Sequence, residues 1–156
     1  VNGSNQGFKR IDYFVYENSD PERASDWQNF LGGVIKAGAN YNINDQHNVF
    51  VNTGLISRQP IFDNVFINFR NDVNPDIANQ QITALEAGYG FRSQKFRANL
   101  NLYRTNWGNR QFDRTVQNAQ NQDILYLFTN VTQIHQGVEL EGSITPARQF
   151  SLDFML

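Results

Sequence analysis

The sequence predicts an all-β protein, an antiparallel up-and-down meander of about seven strands that crosses a membrane as part of a β-barrel. Three observations carry this expectation. The stretch from Ile82 to Trp107 reads as two alternating arms, ITALEAGYGF and FRANLNLYRTNW, joined by the polar link RSQK. Alternation of this kind separates an apolar face from a polar one, as a hairpin at an interface requires. Each arm keeps the pattern for about ten residues, beyond the five or six usual in soluble strands and close to the roughly 9–11 that a tilted strand needs to cross a bilayer. The connections also alternate in length: 17–28 longish, 44–47 short, 57–81 long, 92–95 short, 108–132 long and 146–149 short. In a meander every second connection lies at the same end, so one rim carries tight turns and the other long loops. That asymmetry is a hallmark of outer-membrane barrels.

The elements follow in order. Phe8 to Tyr16 (FKRIDYFVY) is rich in aromatic and β-branched residues and predicts a first strand. Phe30 to Ile43 predicts the second, with Ile35, Ala37, Ala39, Tyr41 and Ile43 on one side and Lys36, Gly38, Asn40 and Asn42 on the other. Asn44 to His47 has the Asn/Asp chemistry of a turn. Val49 to Ile56 returns as the third strand, with the face of Phe50 left open. In the central hairpin, Phe91 is expected opposite Phe96, which aligns Leu85, Ala87 and Tyr89 with Ala98, Leu100 and Leu102 on the apolar side. The same register places Gly90 with Arg97, Gly88 with Asn99 and Glu86 with Asn101 on the polar side. Residues 108–132, including QNAQNQD, read as a polar loop. Ile134 to Thr145 and Phe150 to Leu156 predict the last two strands. Tyr41, Phe91, Phe96 and Phe150 border the short-turn rim, where an aromatic girdle belongs.

Composition agrees. Asn and Gln together number 35 against 28 charged residues, and Phe and Tyr supply 19 of 21 aromatics. These are the materials of strands with one wet and one apolar face. A net charge of −2 supplies no field for nucleic acid, and no nucleic-acid partner is expected. The mean hydropathy of −0.54 argues against helical spans and is neutral toward a barrel, whose strands average out. Cysteine is absent, which removes disulfides and thiolate metal sites.

Catalytic readings find little support. His47 falls in a turn and His135 on a polar strand face, and two distant histidines make no transition-metal constellation. Neither a metal nor a cofactor is expected. Glycines at 88 and 90 precede no helix, so they form no phosphate loop. Glu86, Glu139, Glu141 and Asp153 resemble a glycosidase pair only in residue type. No catalytic residue is assigned, and the chain is not expected to be an enzyme.

The stretches WQNFLGGVIKAGANYNI (27–43), HNVFVNTGLISRQPIFDNVF (47–66), ITALEAGYGF (82–91), NLNLYRTNW (99–107) and GVELEGSITP (137–146) resemble the barrel of TonB-dependent outer-membrane receptors, most closely those of Bacteroidetes type. The resemblance runs from about Gly7 to the end, in order and at the right spacing. It implies that residues 1–156 are an incomplete segment of a large transmembrane β-barrel, with the plug domain and terminal strands absent. It implies energy-coupled import of a bulky nutrient, such as a siderophore, cobalamin, an oligosaccharide or a peptide, across the outer membrane of a Gram-negative bacterium. The implied partners are outer-membrane lipid, the receptor's own plug domain and the TonB energy-transducing complex, reached through the N-terminal part. Whether a surface lipoprotein caps the loops stays open. The resemblance also assigns Glu86, Glu139 and Glu141 as inward acids that clamp plug arginines, with Asp153 as the cross-strand neighbour of Glu141. Aromatic and amide side chains in the long loops suit ligand contact, which singles out Tyr103, Trp107, Phe112, Tyr126 and Phe128. The alternative reading is a soluble β-sandwich module that binds a ligand or carbohydrate.

Overall fold

The computed structural model describes residues 1–66 and 70–156. Its strands are β1 (Asn2–Phe8), β2 (Gln28–Asn42), β3 (His47–Arg58), β4 (Gln80–Arg92), β5 (Phe96–Gln117), β6 (Asp123–Ala147) and β7 (Phe150–Met155). A short helix, α1 (Phe62–Val65), and a single 3-10 turn (Pro21–Arg23) interrupt the connections. The strands form one seven-stranded sheet in chain order, an up-and-down meander as expected. A sandwich requires two packed sheets; the described residues form one, with β1 and β7 at its ends.

Two expectations need correction. Residues 9–16 are not the first strand. The Oδ1 of Asp12 accepts from the backbone N–H groups of Phe14 (2.9 Å) and Val15 (3.0 Å), closing an Asx turn that competes with a ladder. The polar segment Asn2–Phe8 pairs with β2 instead, from Asn2 opposite Val34 to Phe8 opposite Gln28. Residues 108–132 are not a loop either. They complete β5 and begin β6, strands of 22 and 25 residues, around a tight turn at Asn118–Gln122. Asn121 turns the chain at φ 59°, and the side-chain Oδ1 of Asn118 accepts from the N–H groups of Gln120 and Gln122 at 2.9 Å each. Asparagine tolerates this left-handed conformation better than other non-glycine residues. The amide-rich run is a hairpin tip.

The chain divides into two compact units. One contains 1–34, 56–82 and 107–133 and holds all the long connections. Here α1 brings Phe62 against Phe8 (ring centroids 6.0 Å) and Phe66 (5.0 Å), and Phe8 also meets Phe30 at 6.2 Å. Val65 and Phe66 are the buried hydrophobic residues among those described. Amides staple this cluster. Asn74, 1% exposed, donates to Asn64 O and accepts from the Asp76 N–H, while Gln111 donates to Asp76 O. Asn71 donates to the carbonyls of Glu22 and Arg23 at 2.7 Å, tying the connection before β4 to the one before β2.

The other unit contains 35–55, 83–106 and 134–156 and holds the turns that join β2 to β3, β4 to β5 and β6 to β7. Its apolar row stays uncovered: Ile35 is 53% exposed, Leu85 55%, Leu102 50% and Val138 63%. A contiguous apolar face of this kind is not left to water in a soluble monomer, where the largest patches reach a few hundred Å². The faces fall as expected, with one correction to the register. Ser93 N–H donates to Phe96 O (2.7 Å), so Gln94 and Lys95 form the tip of the central hairpin. Asn101 and Asn99, rather than Asn99 and Arg97, stand beside Gly88 and Gly90. A shift of two residues preserves the faces, because side chains alternate with period two.

Candidate functional site

The polar face of the turn-bearing unit presents carboxylates held by amides. Asn52 on β3 donates through Nδ2 to Glu86 Oε2 on β4 (3.2 Å), and Asn99 on β5 donates to Glu141 Oε1 on β6 (2.9 Å). Asn48 donates to Asn40 Oδ1 (2.9 Å) and Asn40 to Asn42 Oδ1 (3.2 Å), so the amides continue toward the turn. Each acid is engaged through one oxygen and can offer the other to a cation. Glu139 stands between Gly137 and Glu141 in an alternating strand and therefore shares their face. It is exposed, whereas Glu86 is partly covered.

Glycine makes this arrangement possible at two places. A Cβ at Gly88 would collide with the ring of Phe50, and one at Gly90 with the amide of Asn48. Side chains of β3 thus lie flat across the backbone of β4, which settles Phe50 on the polar face. Asp153 is not the direct neighbour of Glu141. Ser143 stands opposite Asp153, and Glu141 opposite Met155. Asp153 is the diagonal partner, and the two acids share an open groove of about 440 Å³ with Arg97 and Asn99.

Sequence reasoning missed the amide partners Asn52 and Asn99. Asparagines on the polar parity of β3 (Asn48, Asn52) and β5 (Asn99, Asn101), the strands beside the acids, were the available signal. It also left His47 without a role. His47 opens β3 and pairs with the Tyr89 hydroxyl through Nδ1, with its ring 4.9 Å from that of Phe91.

The aromatic candidates lie in the loop-bearing unit. Trp107 donates from Nε1 to Gln80 Oε1 (3.0 Å), and the Arg110 guanidinium lies over its ring at 4.5 Å. Arg110 in turn donates to Gln133 Oε1. Trp107 is therefore anchored in the sheet. Phe112 and Phe128 stack at 4.9 Å and 21° on the ribbon of β5 and β6, each about two-fifths exposed, and Tyr126 is half exposed. Among the described residues no cluster of His, Cys, Asp or Glu could hold a metal ion.

A single antiparallel sheet, with an apolar row on one face and held acids on the other, has the two-faced pattern of a membrane β-barrel wall. The family described as "TonB dependent receptor-like, beta-barrel" matches residues 9–156, and the chain belongs to that family. No curated protein and no solved structure matches it. The family's members are receptors and transporters of the Gram-negative outer membrane that work with a plug and TonB.

Proposed function

We propose that residues 1–156 form part of the barrel wall of a TonB-dependent receptor of Bacteroidetes type. This receptor imports a bulky nutrient across the outer membrane, with its plug supplied by polypeptide outside this segment. The observation that carries the reading is the polar wall. Glu86 and Glu141 are each oriented by a neutral amide, so a guanidinium on the plug meets an acid already in place. Arg–carboxylate pairs are strong and geometrically fixed, yet separable when TonB pulls on the plug. A carboxylate facing a plug loses part of its hydration and stays charged when a cation replaces that water. Glu86 and Glu139 are assigned as clamps, with Glu141 as a third. The exposed Phe112, Tyr126 and Phe128, with Trp107 anchoring the base of the ribbon, form the outer surface that meets ligand.

The test uses the full-length receptor with Glu86→Gln and Glu139→Gln, singly and together. Hydrogen exchange of the plug should rise and ligand uptake should change in the double variant. Unchanged plug protection would remove the clamp role and leave these acids as solvated wall residues.

A further inference from the structure

The tight turns and the aromatic residues beneath them form one built surface. The turns are joined to neighbouring strands through the backbone: Arg92 N–H donates to Gln46 O, and Thr145 N–H to Lys95 O, both at 2.8 Å. Below them lies a chain of rings. His47 meets Phe91 at 4.9 Å and Tyr89 at 5.8 Å, and Phe91 meets Phe96 at 5.9 Å. The Tyr89 hydroxyl pairs with His47 Nδ1, which fixes both rings against the sheet. These rings stand at the end of the apolar row that contains Val49, Val51, Leu85 and Leu100. The turn residues above them are charged with one dominant sign. Arg92, Lys95 and Arg148 are exposed cations, against the single acid Asp45. Arg92 also reaches across to Asp45, donating to its backbone carbonyl.

We propose that this rim binds the phosphate headgroups of anionic phospholipids in the leaflet that contacts the tight turns. The inference rests on the barrel-wall reading above. Lipid is the occupant because the turn-tip cations Lys95 and Arg148 stand at the end of the apolar face, whereas Arg92 shares the polar face of Gly88 and Gly90. Aromatic rings at the junction suit the headgroup level, where one end of a side chain is apolar and the other wet. Lys95 and Arg148 supply the attraction. The His47–Tyr89 pair presents polar atoms at the same depth, and Phe91 and Phe96 pack beside the upper acyl segments. The site thus selects headgroup charge without enclosing a ligand.

The experiment reconstitutes the full-length receptor in vesicles of phosphatidylethanolamine and phosphatidylglycerol in a four-to-one ratio, then counts the lipids retained by native mass spectrometry. The wild-type receptor should retain phosphatidylglycerol above its bulk ratio. The double variant K95Q/R148Q should lose that enrichment, by up to about fivefold for each cation removed at low ionic strength. Arg92→Gln, on the polar face, should leave it unchanged, and Tyr89→Phe should weaken it less. Equal retention by wild type and double variant overturns the proposal, as does full competition by inorganic phosphate, which would mark a soluble-anion site. A Trp at Leu100, quenched by brominated acyl chains, serves as the separate control. Quenching without headgroup enrichment refutes the rim alone, whereas absence of quenching refutes the barrel-wall reading beneath it.

Discussion

The two units of this chain are built from the same strands by different means. The loop-bearing unit buries Val65 and Phe66 and ties its segments together with buried amides that donate internally, from Asn64, Asn74 and Gln111. The turn-bearing unit buries no large hydrophobic side chain and displays its apolar row outward. A hydrophobic core stabilises by removing apolar surface from water. The turn-bearing unit reaches that end only when lipid covers its apolar row. The difference teaches that exposure has opposite meanings in the two units: in one it marks solvent, in the other the place of a second solvent.

The sharpest way to break this comparison is to place the same charge at two exposed leucines. Leu102 is 50% exposed in the turn-bearing unit, further from the turns than the facing pair Tyr89 and Leu100, and Leu127 is 36% exposed on the ribbon. Leu102→Arg should cost the full-length receptor roughly 2–4 kcal/mol in lipid, as arginine does near a bilayer midplane. Leu127→Arg should stay within about 0.5 kcal/mol, the range for surface changes. Urea titration in vesicles measures both, and equal losses would erase the distinction between the units.

The next largest effect belongs to the amide staple. Asn74→Ala removes the donor to Asn64 O and the acceptor for the Asp76 N–H at a site that is 1% exposed. Leaving buried backbone groups unpaired costs about 1–3 kcal/mol. The loss should be local. Limited proteolysis should open residues 57–81 while the strands of the turn-bearing unit stay protected. Cleavage spread evenly through both units would show that the staple supports more than its own loop.

What the sequence made legible follows the same division. Strands whose faces meet different surroundings announce themselves by alternation. Expected and observed bounds of β2, β3 and β4 accordingly differ by one or two residues: 30–43 against 28–42, 49–56 against 47–58, and 82–91 against 80–92. The misses lie where side chains bond to backbone. Asp12 ends a strand that its neighbours favour by composition, and Asn121 turns a run that reads as loop. Acid positions were legible from parity alone. Their amide partners were not, because Asn52 lies 34 residues from Glu86 and Asn99 lies 42 from Glu141.

Asn121 tests the hairpin correction with a smaller effect. At φ 59° any Cβ crowds the following carbonyl, and asparagine offsets this by local hydrogen bonding that alanine lacks, so Asn121→Ala should destabilise the tip of β5 and β6 by about 1 kcal/mol, and Asn121→Gly should be tolerated. Exchange of the Asn118 amide, which donates to Gln122 O, reports the outcome. Equal exchange in both variants would argue against a left-handed residue there.

The smallest effect is the response to acid of the connection before β2. The Phe14 and Val15 amides bonded to Asp12 hold its carboxyl below the usual carboxylate range, with a further contribution from Arg10. A group whose folded pKa is depressed stabilises the fold above its unfolded value, about 3.9 for aspartate, and loses that contribution as pH falls through the folded value. The Asx turn should therefore hold above about pH 4 and loosen only in stronger acid. Protection of the Phe14 and Val15 amides, corrected for intrinsic exchange and referenced to β4, should fall in that window. Asp12→Asn keeps an acceptor oxygen and an Asx turn but removes the titration, so its protection should be weaker and flat with pH. An unchanged pH profile in Asp12→Asn would assign the acid response to another group and return residues 9–16 to the set of connections held by backbone pairing alone.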